Sequence, residues 1–109
     1  MKTVTICGSM KFSKEMKIAA FELESITGYN VLQCTYNELN REITPEMFEN
    51  LNQMHLRKID MSDMIYVVDV NGYIGDAVEK EIEYAKQHHK EIVFHSSCDV
   101  LPETEHSAE

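Results

Sequence analysis

Apolar positions along this chain change period several times, and each change marks an element. Thr3 to Cys7 is short, β-branched and bounded by Gly8-Ser9, which predicts a buried strand. From Ser13 the period becomes helical. Met16, Ala19, Ala20, Leu23 and Ile26 recur at spacings of three and four, predicting an inward stripe with Ser13 as N-cap and Gly28 as the terminating glycine. Tyr29 to Gln33 predicts a second strand, and residues 34 to 43, which carry no period, a loop. Thr44-Pro45 opens a second helix, with threonine as cap and proline at the first helical position. Met47, Leu51, Met54 and Lys58 form its expected inward stripe, and it ends near Asp60 to Ser62.

The segment Met64 to Val70 is almost wholly apolar, which predicts a strand buried on both faces, as in a parallel sheet. Asn71 to Gly75 reads as a loop. Asp76 with Glu79 forms an aspartate-led capping box for a third helix reaching about His88, and Glu91 to His95 predicts a fourth strand. This β-α-β-α-β-α-β order predicts a three-layer α/β fold. Its parallel sheet has four strands, or five, with helices on both faces. Residues 1–95 form one domain, and residues 96–109 a polar, acidic tail that orders only by docking on a partner. Ligands of such sheets bind beyond the carboxyl ends of the strands. That rule singles out the loops Gly8–Phe12 and Asp69–Asp76.

Composition narrows the partners. A chain of 109 residues has room for one core and little margin, so self-association would help it. A net charge of −9 argues against nucleic acid or an anionic membrane as partner, but not against a small anion held by backbone N–H groups. Three cysteines without close spacing suggest neither a disulfide framework nor a zinc knuckle, and reduced thiols in a cytoplasm are the simplest reading. No apolar run approaches a membrane span, and the one at the N-terminus is too short for a signal peptide. His88, His89, His95 and His106 show no ligand spacing, so neither a metal nor another cofactor is expected.

Four groups of residues carry candidate chemistry. Gly8, Ser9, Met10 and Lys11 combine a glycine turn, a hydroxyl and a cation near a helix start, which suits a phosphate or simply makes a strand-to-helix turn. On the third helix Glu79, Glu83 and Lys86 cluster towards solvent. Glu81 lies between Ala77 and Ala85, where small neighbours leave space beside a carboxylate able to attack a sugar carbon. His55 falls beside the apolar face of its helix, either as a satisfied half-buried residue or as a catalyst. At the ligand edge, Asp69 has either a ribose hydroxyl or loop N–H groups to accept from. Gly72, Tyr73 and Gly75 form the adjoining loop, with Tyr73 placed to stack on a base.

The segments TVTICGSMKF, MHLRKIDMSDMIYVVDV and GYIGDAVEKEIEYAK followed by EIVF, in this order, resemble the nucleoside 2-deoxyribosyltransferase superfamily. The similarity spans about residues 3 to 95 and is greatest to small bacterial and phage members. The CGS turn also resembles the 2′-deoxynucleoside 5′-phosphate N-hydrolases. The resemblance implies a flavodoxin-like or Rossmann-like sheet, with the N-glycosidic bond between deoxyribose and base as target. The family's Glu-x-x-Tyr-Ala-like pattern falls on Glu81 to Ala85, making Glu81 the matched nucleophile, although a longer glycine loop leaves Glu79 as a second counterpart. Gly8 and Ser9, with Lys11, match the turn that holds a 5′-phosphate. No aspartate stands where the family's catalytic aspartate falls, and ungapped counting reaches His55 or a close neighbour. Family members are commonly dimers or larger.

Two expectations follow. The first is an enzyme that cleaves or transfers the glycosidic bond of a deoxynucleoside or its 5′-monophosphate through Glu81. The second is a binder or sensor of a nucleotide-derived signal that uses the same pocket without turnover.

Overall fold

A computed structural model describes residues 1–97 as a three-layer α/β fold. Strand β1 (Thr3–Gly8) leads through a 3-10 turn (Met10–Phe12) into helix α1 (Ser13–Thr27). Strand β2 (Asn30–Leu32), helix α2 (Pro45–Asp60), strand β3 (Met64–Val68), helix α3 (Asp76–Gln87) and strand β4 (Glu91–Phe94) follow. The expected tail lies outside the described residues, apart from Ser96 and Ser97, which close a last 3-10 turn with His95.

All pairings are parallel, in the order β2-β1-β3-β4. The chain leaves β1 in one direction, to β2, and leaves β3 in the other, to β4. The strand order therefore reverses between β1 and β3, the place where doubly wound sheets of this order hold ligands. Pleating divides the sheet's residues between two cores. Val4, Ile6, Met64, Tyr66 and Val68 pack under Met16, Ala19, Ala20 and Leu23 of α1. Cys7, Ile65 and Val67 pack under Ile59 of α2 and Val78, Ile82 and Ala85 of α3. Every residue of β3 is buried, as its continuous apolar run requires.

Local signals at two helix ends, those of Gly28 and Thr44, act as read. Gly28 closes α1 at φ 77°, its N–H donating to the Glu24 and Leu23 carbonyls. Thr44 caps α2 by accepting from the Met47 N–H, with Pro45 in the first turn. Asp76 and Glu79 sit in the first turn of α3, where its dipole favours acids. Other expectations need correction. Ser13 is not an N-cap, because the preceding 3-10 turn runs straight into α1, and the capping serine is Ser9, which accepts from the Lys11 N–H. Asp76 is likewise inside α3, whose N-cap is Gly75, so no capping box forms. Strand β3 stops at Val68, since Asp69 turns away and Val70 starts a 3-10 turn. Ile26 is exposed, lying past the point where the sheet still covers α1.

The largest correction concerns α2. Its expected inward stripe is mostly outside the core, with Met47, Leu51 and Met54 exposed and Ile59 the helix's only buried residue among those described. Only the C-terminal turns of α2 lie on the sheet. There the buried Thr5 hydroxyl of β1 donates to the Lys58 carbonyl and pairs with the Ser62 hydroxyl. The N-terminal turns project past the carboxyl end of β1, so their apolar side chains face a hollow instead of a strand.

Candidate functional site

That hollow is a cavity of 380 Å³ at the carboxyl edge of the sheet, within the size range of small-molecule sites. Gly8 and Met10 border it from the end of β1. Cys34, Thr35, Asn37 and Ile43 come from the segment after β2, Phe48, Leu51, Met54 and His55 from α2, and Glu81 from α3. The lining is an apolar wall with a few polar groups, the usual composition of a small-molecule site.

Gly8 is the last residue of β1 and packs closely under α1. A Cβ there would stand 3.0 Å from the Met16 sulfur of α1. The tight turn expected at Gly8 is found instead after β3, where Asn71 and Gly72 take φ of 55° and 79°. Lys58 also borders the cavity. Its ammonium donates to the Gln33 carbonyl at 2.7 Å and the Thr35 hydroxyl at 3.3 Å, holding the segment after β2 against α2.

Three side chains from three elements meet here, with His55 and Glu81 lining the cavity and Cys7 buried against His55. His55 Nε2 lies 3.4 Å from Cys7 Sγ and 3.4 Å from Glu81 Oε1. Cys7 is fully buried, while the side chains of His55 and Glu81 keep 11% and 20% exposure, enough to meet a ligand. Burial pushes the Cys7 thiol up to about 12, so it is neutral at physiological pH. For His55, burial works against the imidazolium, while hydrogen bonds with Cys34, Cys7 and Glu81 favour it, and the balance raises its proton affinity above the ordinary 6.5. With Cys7 uncharged, the carboxylate of Glu81 is the charged neighbour behind that upward direction.

The structure therefore gathers Gly8, Met10, His55 and Glu81 of the sequence candidates around one cavity. Glu79, the competing counterpart of Glu81, is exposed and turned away, as are Glu83 and Lys86. The space beside Glu81 opens against α2 and not along its alanine row, for Ala85 is in the core and Ala77 is exposed. Ser9, Lys11, Asp69, Gly72, Tyr73 and Gly75 do not line this cavity. Ser9 caps the 3-10 turn, and Lys11 places its ammonium 3.5 Å from the centroid of the Tyr73 ring. Asp69 is buried, and both its oxygens accept from Ser96, one from the N–H and one from the hydroxyl, at 2.8 Å each. Both oxygens are thus engaged within the fold, one by a backbone N–H and one by a hydroxyl.

Sequence reading missed Cys7, Cys34, Thr35, Asn37, Ile43 and the cavity-facing role of Phe48, Leu51 and Met54. One signal was present. The segment after β2 also leaves a carboxyl strand end, so position alone nominates it beside the two loops chosen. Nothing in the local pattern of α2 separates apolar side chains that meet a sheet from those that meet a ligand. No protein-family model matches this chain, and no curated protein sequence matches it significantly.

Proposed function

We propose that this protein cleaves or transfers the N-glycosidic bond of a deoxynucleoside or its 5′-monophosphate, with Glu81 as nucleophile. The supporting observation is a carboxylate on the floor of an apolar cavity at the sheet's switch point, paired with a histidine. The wall of Ile43, Phe48, Leu51 and Met54 suits the faces of a base, and Thr35, Asn37 and Asn52 offer polar groups to its edges. Gly8 and Met10 border the cavity, while Ser9 and Lys11, which the resemblance matches to a 5′-phosphate turn, lie next to them in the chain without lining it.

In this reaction a Glu81 oxygen attacks C1′ and the bond from C1′ to the base nitrogen breaks. The electron pair leaves with the base, which takes a proton from the His55 imidazolium. Water then attacks C1′ of the glycosyl-enzyme, giving its proton to His55 and freeing Glu81. In a transferase a second base takes the place of water. The protein acts as a homodimer or higher oligomer, in keeping with the apolar face that α2 exposes.

The test is incubation of chelator-treated protein with each deoxynucleoside and each 5′-monophosphate, followed by chromatography for free base. The wild type is expected to release base, Glu81→Gln to lower the rate by at least roughly 10³-fold, and His55→Gln by about 10²-fold. A compound that raises the melting temperature yet is recovered intact after long incubation would make the protein a nucleotide binder and end the enzymatic reading.

A further inference from the structure

We propose that Cys7 Sγ, His55 Nε2 and a Glu81 carboxylate oxygen form a binding site for a zinc-like divalent transition metal, with a fourth position open to the cavity. The three donor atoms lie within 4.8 Å of one another, although they come from β1, α2 and α3. The two separations from His55 are both 3.4 Å. Bond lengths of about 2.3 Å to sulfur and about 2.0–2.2 Å to nitrogen and oxygen give a tetrahedral zinc site edges of roughly 3.3–3.6 Å. Both separations from His55 already match such an edge, and the Cys7 to Glu81 separation, within 4.8 Å, closes on it by a small side-chain movement.

The gap between His55 and Glu81 points the same way. A charge-assisted N–H to carboxylate bond closes to about 2.7–2.9 Å, so at 3.4 Å this pair has not closed on itself. One sulfur, one imidazole and one carboxylate make a donor set suited to zinc and its neighbours and unlike the all-oxygen sets of magnesium or calcium. Charge agrees as well. On binding, the Cys7 S–H bond and the His55 Nε2–H bond both break, each electron pair going to the metal and each proton leaving to solvent. A dication then meets one thiolate and one carboxylate, and the buried floor is neutral. Cys34, whose thiol donates to the Ile6 carbonyl, borders the same cavity.

Three protein ligands with a vacant fourth position is the pattern of metal sites that bind an exogenous ligand. Here that position faces the cavity, where a nitrogen or oxygen of a bound molecule can complete it. The site stands apart from the glycosidic reading, because a coordinated Glu81 is no longer a free nucleophile. The two occupations exclude each other.

The test titrates chelator-treated full-length protein with cobalt(II), followed by zinc(II), and reads the absorption spectrum and the melting temperature. The wild type is expected to bind one cobalt with tetrahedral visible bands and a near-ultraviolet thiolate-to-cobalt band, both abolished by stoichiometric zinc, which raises the melting temperature. Cys7→Ser should lose the thiolate band. His55→Gln and Glu81→Gln, each first checked by circular dichroism to keep the fold, should each weaken binding by at least roughly tenfold. Replacing His88 and His89 should change nothing. Absence of binding at micromolar metal, an octahedral cobalt spectrum, or affinity unchanged in His55→Gln would overturn the proposal.

Discussion

Single residues at the cavity floor are set by charge and burial together. A histidine that holds its proton more tightly when folded adds stability that is whole below the unfolded value near 6.5 and is lost as pH rises through the folded value. The Cys7 thiol behaves alike, its contribution whole below 9.0 and lost on the way to about 12. Chelator-treated protein should therefore lose stability from neutral to alkaline pH, by up to about 1.4 kcal/mol per pH unit for each titrating group. Urea unfolding at successive pH values measures the slope, and His55→Gln should flatten its part just above neutrality. Stability that climbs with pH, or an identical slope in that variant, would contradict this account of the pair. Residue-level reading reached Glu81 and His55 because each departs from an apolar stripe. It passed over Cys7 because a small apolar-like side chain inside a strand looks like any other core residue.

Elements were legible wherever short-range sterics decide. Gly28 donates its N–H to carbonyls at the end of α1, Thr44 accepts from the Met47 N–H and Pro45 has no N–H to leave unpaired, so their roles carry over from sequence to structure without help from the fold. The Thr44 cap is expected to be worth about 1 kcal/mol. Thr44→Ala should lower stability in thermal or urea unfolding by that amount, while Thr44→Ser should hardly change it. Equal losses from both would show that the hydroxyl bond to the Met47 N–H is not what the position supplies. Ser13 and Asp76 were misread for a related reason. Each has capping chemistry, but the residue before it takes the cap position, through a 3-10 turn in one case and Gly75 in the other.

At the scale of the molecule the decisive feature is how α2 overhangs the sheet. Its N-terminal turns leave Phe48 at 58% and Met54 at 54% exposure, a large apolar face for a chain of 109 residues. Light scattering is expected to give at least twice the chain's mass of 12.6 kDa. Phe48→Glu should shift the protein towards monomer with its circular dichroism unchanged. A monomer at all concentrations would remove the oligomer from the proposed function. Among the described residues no helix is long and apolar enough to cross a membrane. Element types, their order and the parallel three-layer arrangement are written in local periodicity, because φ/ψ preference and strand burial depend on near neighbours and on the shortness of connections. Tertiary structure alone determined that Cys7, His55 and Glu81 meet, and that half of an apolar helix face lines a cavity. Those outcomes depend on crossing positions of elements far apart in the chain, which no local pattern encodes.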